Sequence, residues 1–465
     1  MNAVPKPTVI TGPAGTGKTT RMMELVGALA PTALSDLGYQ SVLVITHMHG
    51  ARRRLEGLIH KVHPDLNVTV TTIHAFALGL LNRWRLALDI SYPIMATEDA
   101  GGLLEKYGVV YATFDELISK AKELSQFSSV KNFISSTYPL IVIDEVQDCS
   151  KDELELIDAL TSCSHCVLAA DEFQDLLGSD AGCAFAGWLV LRKHKESVNH
   201  EELVLPRRTS DIGILDAARA LRTNVAASGR NIAKFWAPKE PLLAWKIVEL
   251  VLSTSARGRT VALIVPSLQG VDRIVDSVDR QLAKRLKRSG KLKWLRTTSA
   301  EYEKAIIYKE LGICTIPSSE WKPRPESSLS PSGLLIQNRA IRLAQLRGVT
   351  TLTMEFVAGV VQGTLHANRA HSTRSGRYEI TTIHGAKNRE FDYVFVLWNY
   401  KVIGTEEKRR RLLYNAITRA RVSCTLLVQR AKASEVINDS VLGLLGAITA
   451  LPQKKASAAN KTRKK

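Results

Sequence analysis

The octapeptide Gly12-Pro-Ala-Gly-Thr-Gly-Lys-Thr19 constrains this chain more than any other stretch of it. It follows a short apolar run, Thr8-Val9-Ile10, and leads into a helix-forming one, Thr20 to Ala30. A Gly-x-x-x-x-Gly-Lys-Thr loop between a strand and a helix turns backbone N–H groups inward around a polyphosphate. Its lysine adds a point charge at the β/γ-phosphates, and its threonine hydroxyl suits Mg²⁺. Gly12, Pro13, Ala14, Gly15, Thr16, Gly17, Lys18, Thr19 and Thr20 are therefore assigned to a nucleoside triphosphate, with Thr19 also a metal residue. The loop does not say what hydrolysis drives, because many enzyme classes share it.

Apolar strands alternate with helical stretches through the first half, the pattern of a parallel sheet flanked by helices. Strands are expected at Thr8–Thr11, Ser41–Thr46, Val68–Thr71, Pro139–Ile143 and Cys166–Ala170, with residues 82–135 a mostly helical insertion. A second set is expected at Thr260–Val265, Tyr378–Thr382, Tyr393–Leu397 and Ser423–Val428. Between its first two strands lies a basic segment, residues 270–377. That segment holds a Pro/Ser-rich loop from Ile316 to Pro331 and a helix from Met354 to Arg369. No internal repeat stands out. Two domains with one phosphate loop suggest a nucleotide held between them.

Charge divides the chain. The net charge is +18, yet residues 1–250 carry 25 Lys/Arg against 29 Asp/Glu, and residues 251–465 carry 38 against 16. A basic second half implies a polyanion as partner. The tail (Lys454, Lys455, Lys461, Arg463, Lys464, Lys465) is expected to be disordered and to add non-specific attraction. No apolar run reaches the roughly 18–20 residues of a membrane span. The first residues lack a secretory hydrophobic region, so a cytoplasmic protein is expected. Six cysteines are too sparse for a disulfide framework. Cys163-Ser-His-Cys166 has a metal-like spacing without a second pair nearby, and its plain reading is a turn before a strand.

Leu140-Ile-Val-Ile-Asp144-Glu145-Val-Gln-Asp148 supplies the other half of an NTP-hydrolysing site. Asp144 can hold Mg²⁺ through water, and Glu145 can orient and deprotonate the attacking water. Gln174, in Ala170-Asp-Glu-Phe-Gln174, can contact the γ-phosphate. Arg207/Arg208, Lys387 and Arg419 are cations in need of partners, and phosphoryl transfer builds the negative charge an arginine stabilises.

Taken in order, these segments resemble the superfamily 1 DNA helicases of the UvrD/Rep/PcrA type. The most specific are Thr71-Thr-Ile-His-Ala-Phe76, Thr382-Ile-His-Gly-Ala-Lys-Asn-Arg-Glu-Phe391 and Arg411-Leu-Leu-Tyr-Asn-Ala-Ile-Thr-Arg-Ala420. The resemblance spans residues 8 to about 430. It implies an α/β fold of two RecA-like P-loop NTPase domains with parallel sheets and small, mainly helical insertions. The first would be residues 1–205, with the insertion at 82–135. The second would be residues 206–450, with the insertion at 270–377, and the tail 451–465. It implies ATP and Mg²⁺ bound by Lys18, Thr19 and Asp144, Glu145 as general base and Gln174 as γ-phosphate sensor. Arg208 and Arg419 would be arginine fingers, and Glu390 would lie near the ribose. Thr46, Thr72, His74, Phe76, Thr382 and His384 would track single-stranded DNA, with RNA the alternative strand.

A monomer without membrane association is expected. A nuclease or a replication or repair partner stays open, as does action as a switch without processive unwinding. The sequence departs from the family at several points. Only eleven residues precede Gly12, leaving no room for an adenine-reading segment, so base selectivity is open. Arg207 stands where the family has tyrosine, Asn388 where it has glycine, and Met48-His49 where it has Thr-Asn.

Overall fold

Strands and helices in the computed structural model follow the apolar pattern closely. It describes residues 5–451 apart from 36–37, 48, 98–102, 107–108, 177–182, 230, 255–257, 269–270, 288–291, 293, 297–299, 314–318, 347–350, 372–376, 388 and 401. The basic tail after residue 451, part of the Pro/Ser-rich stretch, Met48 and Asn388 thus lie outside the described residues. The chain divides into two units, Met1–Arg207 with Thr298–Thr373, and Arg208–Thr297 with Arg374–Lys465.

In the first unit a six-stranded parallel sheet runs in the order Val68–Thr72, Val42–Thr46, Leu140–Asp144, His165–Ala170, Thr8–Thr11, Asn199–Glu202. The middle strands are buried and apolar up to polar ends such as Thr46 and Asp144, because both faces are covered. Leu43, Ile45, Ile141 and Ile143 enter one core; Val42, Val44, Leu140 and Val142 enter the other. The helix Lys18–Ala33 covers the second face with Met22, Val26 and Ala30, spaced four apart. Residues 82–135 contain the helix Phe114–Leu124 and most of the helix Ser128–Thr137. They also contain a small sheet, Ile94–Ala96, Val109–Ala112 and Leu104–Lys106, too short to leave a clear alternation.

The second unit is built on a seven-stranded parallel sheet. Its order is Trp294–Arg296, Tyr378–Thr382, Val261–Val265, Phe391–Trp398, Ala420–Gln429, Ala233–Ala237, Thr449–Ala450.

The stretch expected as one insertion, 270–377, is divided in the structure. The helix Val271–Leu286 buries Val271, Ile274, Val275, Val278 and Leu282 in the core of the second sheet, and Trp294–Arg296 is that sheet's edge strand. Residues 298–373 group instead with the first unit. There the helices Ala300–Leu311, Pro331–Leu346 and Met354–His371 close around Trp321, Ile336, Phe356 and Val360. The helix Met354–His371 lies against His49–Val62.

Candidate nucleotide site and nucleic-acid interface

In the first sheet the parallel register brings the chemistry to one edge. Thr46 is aligned with Thr72 on one side and Asp144 on the other, and Thr11 with Ala170 and Glu202. The phosphate loop, Asp144-Glu145 and the Asp171–Gln174 turn therefore all leave the sheet at its carboxyl end, where open α/β sheets bind ligands.

The loop itself is set by glycine. Gly15 and Gly17 have φ of 79° and 92°, and Gly17 in the left-handed region caps the helix Lys18–Ala33. Lys18 is buried, its Nζ donating to the Gly12 carbonyl at 2.8 Å and the Pro13 carbonyl at 3.0 Å, so the cation lies across the loop it serves. Thr16 Oγ1 donates to the Pro13 carbonyl at 2.9 Å. Thr19 and Thr20 fall in the first helical turn, which contains no acidic residue to compete with phosphate. The segment after the edge strand Asn199–Glu202 is laced to the loop at two points. Leu203 N–H donates to Thr11 O at 2.8 Å, and Arg207 N–H donates to Gly15 O at 2.7 Å. A Cβ on Gly12 would collide with the Leu203 carbonyl, and one on Gly17 would meet the Arg207 side chain.

Asp144 ends its strand buried, and its Oδ1 accepts the Glu145 N–H at 3.0 Å. Glu145 has φ 58° and ψ 42°, a left-handed backbone that non-glycine residues rarely adopt. Gln174 is buried, its Nε2 donating to Asp171 Oδ2 at 2.9 Å.

The strand-tracking candidates of this unit are mostly interior. Thr46 is fully buried, and its Oγ1 has no hydrogen-bond partner among the described residues. Thr72 caps the helix Ile73–Trp84, its Oγ1 accepting the Ala75 N–H, and Phe76 belongs to the apolar core. His74 is partly exposed and meets Phe114 edge-on with ring centroids 5.0 Å apart. His74 and His47 approach one oxygen of Glu153 at 3.5 and 3.6 Å. Burial by itself would raise the Glu153 pKa. The close approach of His47, the Ser150 N–H bond and the charges of His47 and His74 outweigh burial and hold it below the usual carboxylate range.

The second unit gathers the remaining candidates. Glu390 holds two arginines, Arg208 Nη2 on Oε1 at 2.9 Å and Arg421 Nε on Oε2 at 2.9 Å. Arg208 also donates to the Thr418 carbonyl at 3.0 Å, and the neighbouring Arg419 is buried with Nε on the Asn415 carbonyl at 3.0 Å. The Glu390 carboxylate, expected near a ribose, is the anchor of this arginine cluster. Arg389, one residue earlier, pairs with Glu379 inside the sheet and fixes the segment that carries Lys387 and Glu390. Thr382 Oγ1 accepts the Gly385 N–H at 3.0 Å, and His384 is exposed.

Thr-Thr-Ile-His occurs at 71–74 and again at 381–384. Each copy ends the strand two places from a site-bearing one, Leu140–Asp144 in the first sheet and Phe391–Trp398 in the second. The same hydrogen bonds form in both: the second threonine caps the residue three on, and the first donates to the second's carbonyl at 3.3 Å. Sequence reasoning missed this repeat, although the identity of four residues was visible. It also missed Gln147, Glu153, Arg389 and Arg421. Only Glu153 carried a local signal, the Ser150-x-x-Glu153 capping box. Cys163 and Cys166 lie around the turn between the helix Lys151–Thr161 and the strand His165–Ala170. Their Sγ atoms face the carbonyls of Ala159, Leu160 and Ser164.

A family model described as an AAA domain matches residues 1–178, covering the phosphate loop, Asp144, Glu145 and Gln174. One described as a UvrD-like helicase C-terminal domain matches residues 378–427, covering Lys387, Glu390, Arg419 and Arg421. No curated protein matches the chain. Both models fall where the two parallel sheets carry their candidate residues, and a helicase of this kind is an ATP-hydrolysing, nucleic-acid-binding enzyme. Together the two matches support a superfamily 1 helicase of the UvrD/Rep/PcrA type.

Proposed function

We propose that the chain is a single-stranded DNA translocase and DNA helicase that moves 3′→5′ and is driven by ATP. The observation that carries this reading is the paired Thr-Thr-Ile-His segment, one per unit, at corresponding strand ends. A motor that steps along a strand needs a grip on each of two bodies whose closure is coupled to the nucleotide. Contacts to phosphates and base faces suit such a grip because they tolerate any sequence. The basic second half provides attraction for the strand.

ATP would be held by Gly12 to Thr20. Glu145 would take the proton of the attacking water, and Gln174 would sense the γ-phosphate. Arg208 and Arg419, carried by the second unit, would stabilise the charge of transfer. Thr19 and Asp144 are hard oxygen donors of the type Mg²⁺ selects, and bound Mg²⁺ would neutralise charge on the phosphate oxygens.

The test is a set of forked and tailed duplexes with ATPase assays alongside. ATP-dependent displacement from a 3′-tailed duplex, with turnover stimulated by single-stranded DNA, is expected. Displacement from a 5′ tail alone would reverse the polarity, and stronger stimulation by RNA would change the substrate. The small size of the accessory segments favours a second reading, a DNA-stimulated switch or nuclease accessory subunit. Stimulated turnover with no displacement on any substrate would select it.

A further inference from the structure

The hydrogen bonding around the strand ends points to Gln147 as the residue that positions the Glu145 carboxylate and ties it to Gln174. We infer this from three links inside the first unit. Gln147 Nε2 donates to Glu145 Oε2 at 2.6 Å, Asp171 N–H donates to Gln147 Oε1 at 2.9 Å, and Gln174 Nε2 donates to Asp171 Oδ2 at 2.9 Å. Gln147, only 2% exposed, lies in the single turn Val146–Asp148. Asp171 follows the adjacent strand His165–Ala170, so the chain of bonds bridges two neighbouring strand ends.

The direction of the glutamine amide is not free. A backbone N–H can only donate, so the atom facing Asp171 N must be oxygen, and the NH₂ group must face Glu145. Glu145 projects from a left-handed backbone, and Gln147 fixes where its carboxylate points. Asp171 anchors the other end, its Oδ1 accepting the Phe173 N–H at 3.2 Å while Oδ2 holds Gln174. A change at Gln174 is thereby felt at the Asp171 backbone and passed through one amide to Glu145. Gln147 is a positioning residue, and this role rests on the reading of Glu145 as the base.

Two variants of the full chain test the inference, read by the kcat and KM of DNA-stimulated ATP turnover. Gln147→Met keeps the volume and loses both bonds. It should lower kcat on the order of 100-fold, the scale of a catalytic group misplaced by about an ångström, with KM for ATP and binding of a fluorescent ATP analogue within about threefold. Gln147→Glu keeps an acceptor for the Asp171 N–H and loses the donor to Glu145. It should lower kcat as far as Gln147→Met does, with KM for ATP again within about threefold.

Wild-type kcat in either variant would overturn the role. So would a loss of kcat matched by equal loss of nucleotide binding and of the folded fraction on thermal melting. Glu145→Gln separates this failure from that of the underlying reading. Near-normal turnover in that variant removes the base itself, whereas a dead Glu145→Gln beside a fully active Gln147→Met removes Gln147 alone.

Discussion

Single residues carry the site's sharpest constraints. Lys18 lies across its own loop, so Lys18→Ala should abolish ATP turnover and leave basal DNA binding within a few-fold, as read by filter binding beside an ATPase assay. Gly12→Ala would drive a Cβ into the Leu203 carbonyl, a backbone atom that cannot swing aside. Its ATP affinity should fall at least about tenfold by titration of a fluorescent analogue, since the loop must open to admit the methyl group. Glu145 gives a test in the opposite direction. Glycine adopts φ near 58° without penalty, so Glu145→Gly should be about 1 kcal/mol more stable than Glu145→Ala in urea melts, while both are inactive. Arg419→Ala should cost on the order of 10³-fold or more in turnover, the worth of an arginine finger. Arg419→Lys, which keeps the charge, serves as the folding control for this buried position.

At the level of elements, two helices of the first unit begin on capping boxes, Thr113 with Glu116 and Ser150 with Glu153. Thr113→Ala should cost about 1 kcal/mol of stability with little effect on turnover. Glu153 does more than cap. Its pKa is held below the ordinary value, so its carboxylate adds stability above the unfolded-state pKa and loses it as pH falls through the folded one. Glu153→Gln, which can still cap, should therefore be less stable than the parent near pH 7 in urea melts. The difference from the parent should shrink as the pH falls below the ordinary carboxylate range and through the folded-state pKa, where the wild-type carboxylate is itself protonated. A gap that persists at low pH would assign the loss to capping instead of charge. Elements also show where reading from sequence stopped. The central strands were legible because burial on two faces leaves unbroken apolar runs. Asn199–Glu202 and Thr449–Ala450 were missed because exposed edge strands need no such run.

For the whole molecule, the excess of basic residues after position 250 predicts DNA affinity that falls steeply with salt. The log–log slope should correspond to several released counterions, and a flat salt dependence would argue that phosphates are not the main contact. Among the described residues no helix is long and apolar enough to cross a membrane. The amino-acid sequence by itself determined the phosphate loop, the Asp144-Glu145 strand end and the presence of two parallel sheets. These depend on contacts within a few residues, such as Lys18 on Gly12, or on burial patterns written along one strand. Tertiary structure alone decided the rest. It joined Gln147 to Asp171, set Arg208 and Arg421 on opposite oxygens of Glu390, and revealed the two Thr-Thr-Ile-His segments as equivalents. It also grouped residues 298–373 with the first unit instead of the second. The physical reason is that strand order and register, not distance along the chain, decide which donors meet which acceptors.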